Sequence, residues 1–182
     1  MIKKIIQQKV QYKDRILICW KDCKSKIQTL NSLVDISKGR YIALIDTDDV
    51  WCDSNKLQSQ LSFLDNNENI NVVGTHARYL KNNVILQDNI NIKMGNIFFS
   101  DLINCNHIIN SSVVMRKECA FWESEFLDDY TLWLKIASEY RQVPKFFNLS
   151  TYSVLHRLHD KSFFNGTLEQ SQAINLLLEK YK

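Results

Sequence analysis

The twelve residues 40–51, RYIALIDTDDVW, decide the fold prediction for this chain. Residues 41–45 are all apolar, which is typical of a strand that is covered on both faces of a sheet. Three carboxylates follow at once, at Asp46, Asp48 and Asp49. Open α/β sheets place their ligand sites beyond the carboxyl ends of such strands. We therefore predict a central strand here, with a ligand site at its end.

The spacing of these carboxylates suggests a metal site. If the chain stays extended, the two-residue period of a strand places Asp46 and Asp48 on one side and Asp49 on the other. Mg²⁺ and Mn²⁺ prefer oxygen ligands and are often held by one or two carboxylates together with substrate phosphates. Asp46 and Asp48 are therefore the predicted ligands. The alternative is that the aspartates only form a turn and cap the next helix.

The surrounding pattern alternates between strands and helices. Residues 15–19, RILIC, indicate a strand, and a helix with apolar residues at i, i+3 and i+7 follows it. After the aspartates, residues 56–64, KLQSQLSFL, predict a second helix, and residues 70–75, INVVGT, predict a strand. This alternation is typical of an α/β domain with a largely parallel sheet. A length of 182 residues fits a single domain over residues 1–182.

The run GRYIALIDTDDVW, followed by KLQSQLSFL and NVVGT, resembles the family 2 glycosyltransferases. The resemblance implies a GT-A-like, Rossmann-like fold, with a mostly parallel sheet flanked by helices. It implies a nucleoside-diphosphate sugar as donor, a UDP-sugar by preference, bound with Mn²⁺ or Mg²⁺. Asp48 matches the position of a metal ligand, and Asp46 lies nearer the nucleotide. The implied reaction transfers the sugar to a glycan or another hydroxyl acceptor.

A second acidic pair, Asp128 and Asp129, opens the segment DDYTLWLKIA, whose composition suits a helix. Aspartate at a helix N-terminus is also a good cap, so capping is the alternative interpretation. The segment resembles the family's EDYDLWLRL, in which the second acid is the general base of inverting members. The resemblance therefore implies Asp129 as the base that removes the acceptor proton, with Asp128 beside it as the other catalytic candidate.

A third segment, LHRLHDKS at residues 155–162, resembles the YRxHxxS segment of the family, with His156 in place of the Tyr. The resemblance implies that His159 contacts the metal or the diphosphate. It also implies that Arg157 pairs with a phosphate oxygen, which the planar guanidinium suits. A surface loop with a structural histidine is the alternative.

Three intermediate segments have weaker patterns. Residues 84–92 indicate strand and loop, residues 97–103 predict a short helix, and residues 108–115, IINSSVVM, predict a strand. Residues 168–182 predict an amphipathic helix packed on the domain. Trp51 and Trp133 are predicted core residues.

The chain departs from the family at its start. Family domains begin with strands that end in PTYN and DDGS, and neither motif is present; residues 16–22, ILICWKD, match the third strand instead. The resemblance therefore covers about residues 27–162, and we expect an N-terminally truncated domain. Its open flank would favour a homodimer. Three alternatives stay open: an active enzyme with an unusual or partner-completed donor site, a degenerate domain that binds a partner or glycan without catalysis, or a piece of a split longer chain.

Composition excludes several other classes. A net charge of +3 with scattered basic residues argues against a nucleic-acid partner. No apolar run approaches the ~20 residues that span a bilayer, and no secretory signal is evident, so we expect a cytoplasmic protein without a transmembrane segment. The five cysteines lack paired spacing and are predicted to be reduced and mostly buried. A nucleotidyltransferase is the second enzyme class, although that chemistry has no need for a base at Asp129.

Overall fold

The computed structural model describes residues 24–158 and 168–181. The predicted strand at residues 15–19 and the predicted ligand His159 lie outside the described residues. The helices are α1 (Lys26–Ile36), α2 (Lys56–Asn66), α3 (Phe99–Asn104), α4 (Asp128–Ser138) and α5 (Leu168–Glu179). The strands are β1 (Tyr41–Ala43), β2 (Val50–Trp51), β3 (Val72–Lys81), β4 (Val84–Asn89), β5 (Gly95–Ile97), β6 (Val114–Arg116) and β7 (Phe146–Arg157). Short 3₁₀ turns cover Asn110–Ser112 and Lys117–Cys119.

These strands form one mixed sheet in the order β1-β6-β3-β7-β2, with β4 beside β3 and β5 beside β7. Within the described chain only β3 and β7 pair in parallel, so the prediction of a mostly parallel sheet is wrong. Strands β1 and β3, which precede and follow α2 in the sequence, do run in the same direction. The antiparallel strand β6 lies between them, and local periodicity carries no information about that insertion.

The strand before the aspartates is shorter and more exposed than its sequence suggests. Within the described residues β1 is the last strand of the order, with Ala43 exposed and Ile45 47% exposed. The prediction of cover on both faces is therefore wrong for Ala43 and Ile45. The central position of the strand stays a prediction. Residues 1–23 lie outside the described ranges, so the N-terminal truncation and the homodimer stay predictions.

The strand after α2 is longer than predicted and forms a hairpin with β4. Asn82 and Asn83 both have positive φ, at 51° and 62°, and Lys81 pairs with Val84 across them. A two-residue loop with positive φ at both positions is a type I′ turn, whose twist matches that of the flanking strands. This turn lets β3 continue to Lys81, well beyond the residues 70–75 predicted for it.

The predicted strand at residues 108–115 is strand only at its end. The backbone bends through the 3₁₀ turn Asn110–Ser112, where Val113 N donates to Asn110 O at 3.1 Å, and β6 begins at Val114. Strand β6 runs antiparallel to β1, with Ala43 opposite Val114. The start of β6 therefore lies beside the carboxyl end of β1, which brings the turn next to the first aspartates.

The sheet buries a core on each face. Val72 packs on one face with Trp133 of α4, and Val73 packs on the other with Leu64 of α2, as expected for alternating side chains of a strand. Trp133 is fully buried, which confirms it as a core residue. Trp51 is only partly buried, and its indole Nε1 donates to Ser111 O in the 3₁₀ turn described above.

The structure also tests the predictions for two helices and for the cysteines. The structure confirms the short helix as α3, and α5 packs on the domain through Leu177, which is 1% exposed. Cys52 and Cys105 are exposed, so the prediction of mostly buried thiols is wrong for these two. None of the helices in the described ranges is long and apolar enough to cross a bilayer.

Candidate active site

The chain turns sharply after β1 instead of staying extended. Asp49 N donates to Asp46 O at 3.2 Å across this turn, so the two-residue period does not apply to the three carboxylates. The turn borders a cleft of about 430 Å³. Asp46 and Asp49 line that cleft, whereas Asp48 is not among its lining residues. The expectation that strand periodicity aligns Asp46 with Asp48 is therefore wrong.

The Asp46 carboxylate is held by the neighbouring 3₁₀ turn. Asn110 Nδ2 donates to its two oxygens at 3.1 and 3.2 Å, and Ser111 Oγ donates to Oδ2 at 3.2 Å. The same Ser111 hydroxyl accepts the backbone N–H of Asp46 at 3.0 Å. These contacts set the direction of the carboxylate. Sequence reasoning gave Asn110 and Ser111 no role, although both lie in the segment 108–115 that was predicted as a strand.

Asp49 forms a buried pair with a histidine of β7. Strand β2 pairs with β7 so that Val50 faces Leu155, which brings the preceding Asp49 beside His156. His156 Nδ1 lies 3.1 Å from Asp49 Oδ1, and the Arg157 backbone N–H donates to the same oxygen at 2.9 Å. Only 1% of the Asp49 side chain is exposed, so this carboxylate binds to groups of the protein and has little contact with solvent.

The pair also sets the charge at this end of the cleft. Burial alone would raise the pKa of Asp49, but hydrogen bonds from His156, Ser111 and Arg157 outweigh it and lower the pKa below 3.8. The hydrogen bond to Asp49 in turn raises the pKa of His156 above 6.5, against the effect of burial. His156 lines the cleft, and sequence analysis gave it no role.

Arg157 contacts its own chain. Its Nε donates to the backbone O of Asp48 at 2.9 Å, and NH1 lies 3.4 Å from Asn83 Oδ1. This side chain supports the aspartate turn from β7 and is not among the lining residues of the cleft. The predicted contact between Arg157 and a phosphate stays a prediction.

Asp129, carried by α4, lines the same cleft as Asp46 and His156. Burial, with a smaller repulsion from Asp128 and Asp46, raises the pKa of Asp129 from 3.8 to about 6. The residue before the helix is Leu127, in the left-handed region at φ 47°, and its side chain makes no capping bond. Asp129 Oδ1 accepts the N–H of Tyr130 at 2.8 Å, so it also meets one orphan donor of the helix.

Asp128 points away from that cleft. It pairs with Lys26 of α1, with Nζ 2.7 Å from Oδ2, and it lines a smaller cavity of about 50 Å³ that Asp46 and Asn110 also border. Burial opposes the charge of Lys26, but the bond to Asp128 outweighs it and raises the pKa of the ammonium. The two neighbouring acids are thus directed to different surroundings.

The residues fit a metal that is shared with a substrate. Within the described ranges no three or more His, Cys, Asp or Glu residues cluster closely enough to enclose a metal. Mg²⁺ is usually bound through one or two carboxylates, waters and substrate phosphates, and does not need an all-protein cage. Asp46 and Asp48, two positions apart in one turn, supply the kind of oxygen donors that such a shared site uses.

The sequence comparison identifies the family. The model of glycosyl transferase family 2 matches residues 2–121, about two thirds of the chain. The chain belongs to glycosyl transferase family 2. The mixed sheet flanked by helices fits a GT-A-like domain of this family. A nucleotidyltransferase, the other enzyme class suggested by acidic strand ends, is not supported.

One relative has a defined activity. The Escherichia coli protein named UDP-Glc:alpha-D-GlcNAc-diphosphoundecaprenol beta-1,3-glucosyltransferase WfaP is 27% identical over 132 residues, which is 70% of this chain and 51% of the relative. The chain therefore spans about half the length of this curated relative.

The extent of the family match differs from the expected one. Similarity was expected over about residues 27–162, whereas the family match starts at residue 2 and ends at residue 121. Asp46 and Asp48 lie inside the matched range, and Asp128, Asp129 and Arg157 lie beyond it. The roles of the latter three therefore depend on geometry and chemistry.

Proposed function

We propose that this glycosyltransferase domain transfers a sugar from a nucleoside-diphosphate sugar to a hydroxyl group of a glycan, with inversion at the anomeric carbon and with Mn²⁺ or Mg²⁺. Asp129 is the proposed general base. Asp46 and Asp48 are the proposed donor-side residues. The observation that carries the proposal is that Asp46 and Asp129, from distant parts of the sequence, line one cleft.

The chemistry of inversion requires a base opposite the leaving group. As the acceptor oxygen attacks C1 of the sugar, its proton passes to the carboxylate of Asp129, and the bond between C1 and the diphosphate oxygen breaks. A pKa of about 6 leaves Asp129 ionised at neutral pH yet more basic than an exposed carboxylate. A base whose pKa lies near the working pH is the most effective.

At the donor end of the cleft, the reaction requires stabilisation of the leaving diphosphate. A divalent metal held by Asp46 and Asp48 would supply electrostatic stabilisation for the charge that develops on the departing diphosphate. The Asn110 and Ser111 contacts hold Asp46 ready for that task. The bond to Asp49 raises the pKa of His156 and so favours its protonated form in a cleft that Asp46, Asp49 and Asp129 also line.

The relative guides the choice of substrates. WfaP is named for a UDP-glucose donor and a GlcNAc-diphosphoundecaprenol acceptor. We extend this chemistry to the present chain as a UDP-sugar donor and a lipid-linked glycan acceptor. The cytoplasmic location expected from the sequence stays a prediction.

Two measurements test the proposal. Calorimetric titration with UDP and GDP, with and without Mn²⁺, is expected to show binding of one nucleotide that the metal strengthens. Incubation with the matching radiolabelled sugar donor and a GlcNAc-diphospholipid acceptor is expected to yield a product of inverted anomeric configuration by NMR. Metal-independent or undetectable nucleotide binding would favour the degenerate binding domain instead.

A further inference from the structure

The least expected side chain of this domain is a lysine in its interior. Lys56 is the first residue of α2 and is only 2% exposed. Its ammonium group makes no salt bridge to any described residue. Burial and the positive end of a helix dipole both disfavour a cation. Burial lowers the pKa of Lys56 to about 8. An apolar residue would serve packing at least as well, so the lysine calls for another explanation.

The contacts of Lys56 orient a buried glutamine. Lys56 Nζ donates to Gln60 Oε1 at 2.8 Å and lies 4.4 Å from the ring centre of Trp51. Because an ammonium only donates, it requires the carbonyl oxygen of the Gln60 amide to face it. The amide nitrogen must then point the other way. Gln60 is fully buried, so this orientation decides which groups it can satisfy.

The oriented amide holds the backbone beside the cleft. Gln60 Nε2 donates to Val73 O at 2.7 Å and to Ser112 O at 2.8 Å. Trp51, under the same ammonium, donates through Nε1 to Ser111 O at 2.7 Å. Two successive carbonyls of the 3₁₀ turn are therefore held by side chains at the start of α2 and in β2.

The other side of that turn faces Asp46. The side chains of Asn110 and Ser111 make three hydrogen bonds to the Asp46 carboxylate, at 3.1 to 3.2 Å. The turn thus has its carbonyls held by one set of residues and its side chains directed at the candidate donor site. Residues that orient a ligating group through hydrogen bonds are important for metal sites: their mutation typically lowers metal affinity or activity by about 10–100-fold.

We propose that Lys56 and Gln60 are positioning residues of the transferase, which fix the turn Asn110–Ser112 and through it the direction of the Asp46 carboxylate. This inference rests on the proposed function for the role of Asp46. The support itself, from α2 to the turn, is a structural arrangement that can be tested whether or not the chain is active.

The test compares two variants with a matched control. Gln60→Met removes both amide donors, and Lys56→Met removes the ammonium while keeping much of the stem. Gln58→Met is the control, because Gln58 is on the same helix but exposed, with its amide bonded to the nearby Ser62 Oγ. Nucleotide affinity is measured as UDP binding with Mn²⁺ at a temperature at which circular dichroism shows every variant folded.

The expected result is a loss of UDP affinity of about 10–100-fold for Gln60→Met and a loss in the same direction for Lys56→Met, with Gln58→Met unchanged. The urea midpoint of Lys56→Met should change little, because removal of a buried charge without an ionic partner offsets loss of the hydrogen bond to Gln60 Oε1. A purely structural lysine would instead lose stability and keep its affinity when replaced. If Gln60→Met fails to fold, Lys56→Met decides the question.

A crystal structure of the methionine variants separates this inference from the proposed function. The expected change is that Asn110 Nδ2 and Ser111 Oγ move beyond about 3.5 Å from Asp46, the limit of a hydrogen bond. Contacts that persist in the variants, or unchanged UDP affinity in both, would overturn the positioning role. If wild type binds no nucleotide, the proposed function fails. The distances from Asn110 Nδ2 and Ser111 Oγ to Asp46 in the variant crystals still test the positioning role.

Discussion

Replacing Asp129 by Asn changes the chemistry of the candidate base and little else. The amide has nearly the same volume, and its oxygen can still accept the Tyr130 N–H that Asp129 accepts at 2.8 Å. A base contributes when the acceptor proton moves, so the transfer rate should fall by ~10²–10⁴-fold. The affinity for the sugar donor should stay within about twofold, because the acceptor proton plays no part in donor binding.

The same variant has a stability signature whose size follows from the pKa. Burial raises the pKa of Asp129 from 3.8 to about 6, a difference of about 2 units. At about 1.4 kcal/mol per pKa unit, ionisation of Asp129 lowers the free energy of unfolding by up to about 3 kcal/mol. The loss is smaller if water solvates the carboxylate, since the side chain is partly exposed. The cost is absent below pH 4 and complete above pH 6, because a raised carboxyl pKa favours the protonated folded state.

Urea unfolding at pH 4 and pH 8 measures that signature, and transfer of radiolabelled sugar measures the rate. Asp129→Asn should be more stable than wild type by about 1–3 kcal/mol at pH 8 and equal to it at pH 4. Asp128→Asn, which loses the 2.7 Å contact with Lys26, is the comparison and should lose much less activity. An Asp129→Asn protein that transfers sugar at the normal rate, or that is destabilised at pH 8, would refute the assignment.

Three further predictions concern the remaining parts of the site and fold. Asp48→Ala should abolish the increase in UDP affinity that Mn²⁺ produces, and calorimetry that finds the increase intact would remove Asp48 from the donor site. Asp49→Asn should destabilise the fold most between about pH 4 and 6.5, where Asp49 is ionised and His156 is protonated. The loss should be smaller at pH 9, since the stability that the raised His156 pKa adds is lost as the pH rises. Urea midpoints of both proteins across this pH range measure the effect, and a pH-independent difference between them would contradict it. Gly74→Ala should cost about 1–3 kcal/mol, because a Cβ there would lie 2.2 Å from Asn148 Oδ1; an unchanged melting temperature would show that the amide can move.

Local sequence patterns predicted the elements that depend on nearby residues. The helix α2 follows from apolar residues at helical spacing, and the start of β3 follows from a short apolar run. The helix that carries Asp129 was expected from composition and from resemblance to the family, and it begins at Asp128 as anticipated. Each of these features is governed by contacts within a few residues, which is why a sequence alone can indicate them.

The sequence by itself also determined the family and indicated the candidate acidic residues, since a motif is a property of neighbouring residues. Only the tertiary structure decided which of them meet. Asp46 and Asp129 line one cleft because β6 is inserted beside β1 and α4 packs on the sheet, and Asp49 is paired with His156 because β2 adds to β7. Neighbours in a sheet are chosen by the packing of the whole domain, and residues far apart in the chain carry no local signal of their future contact.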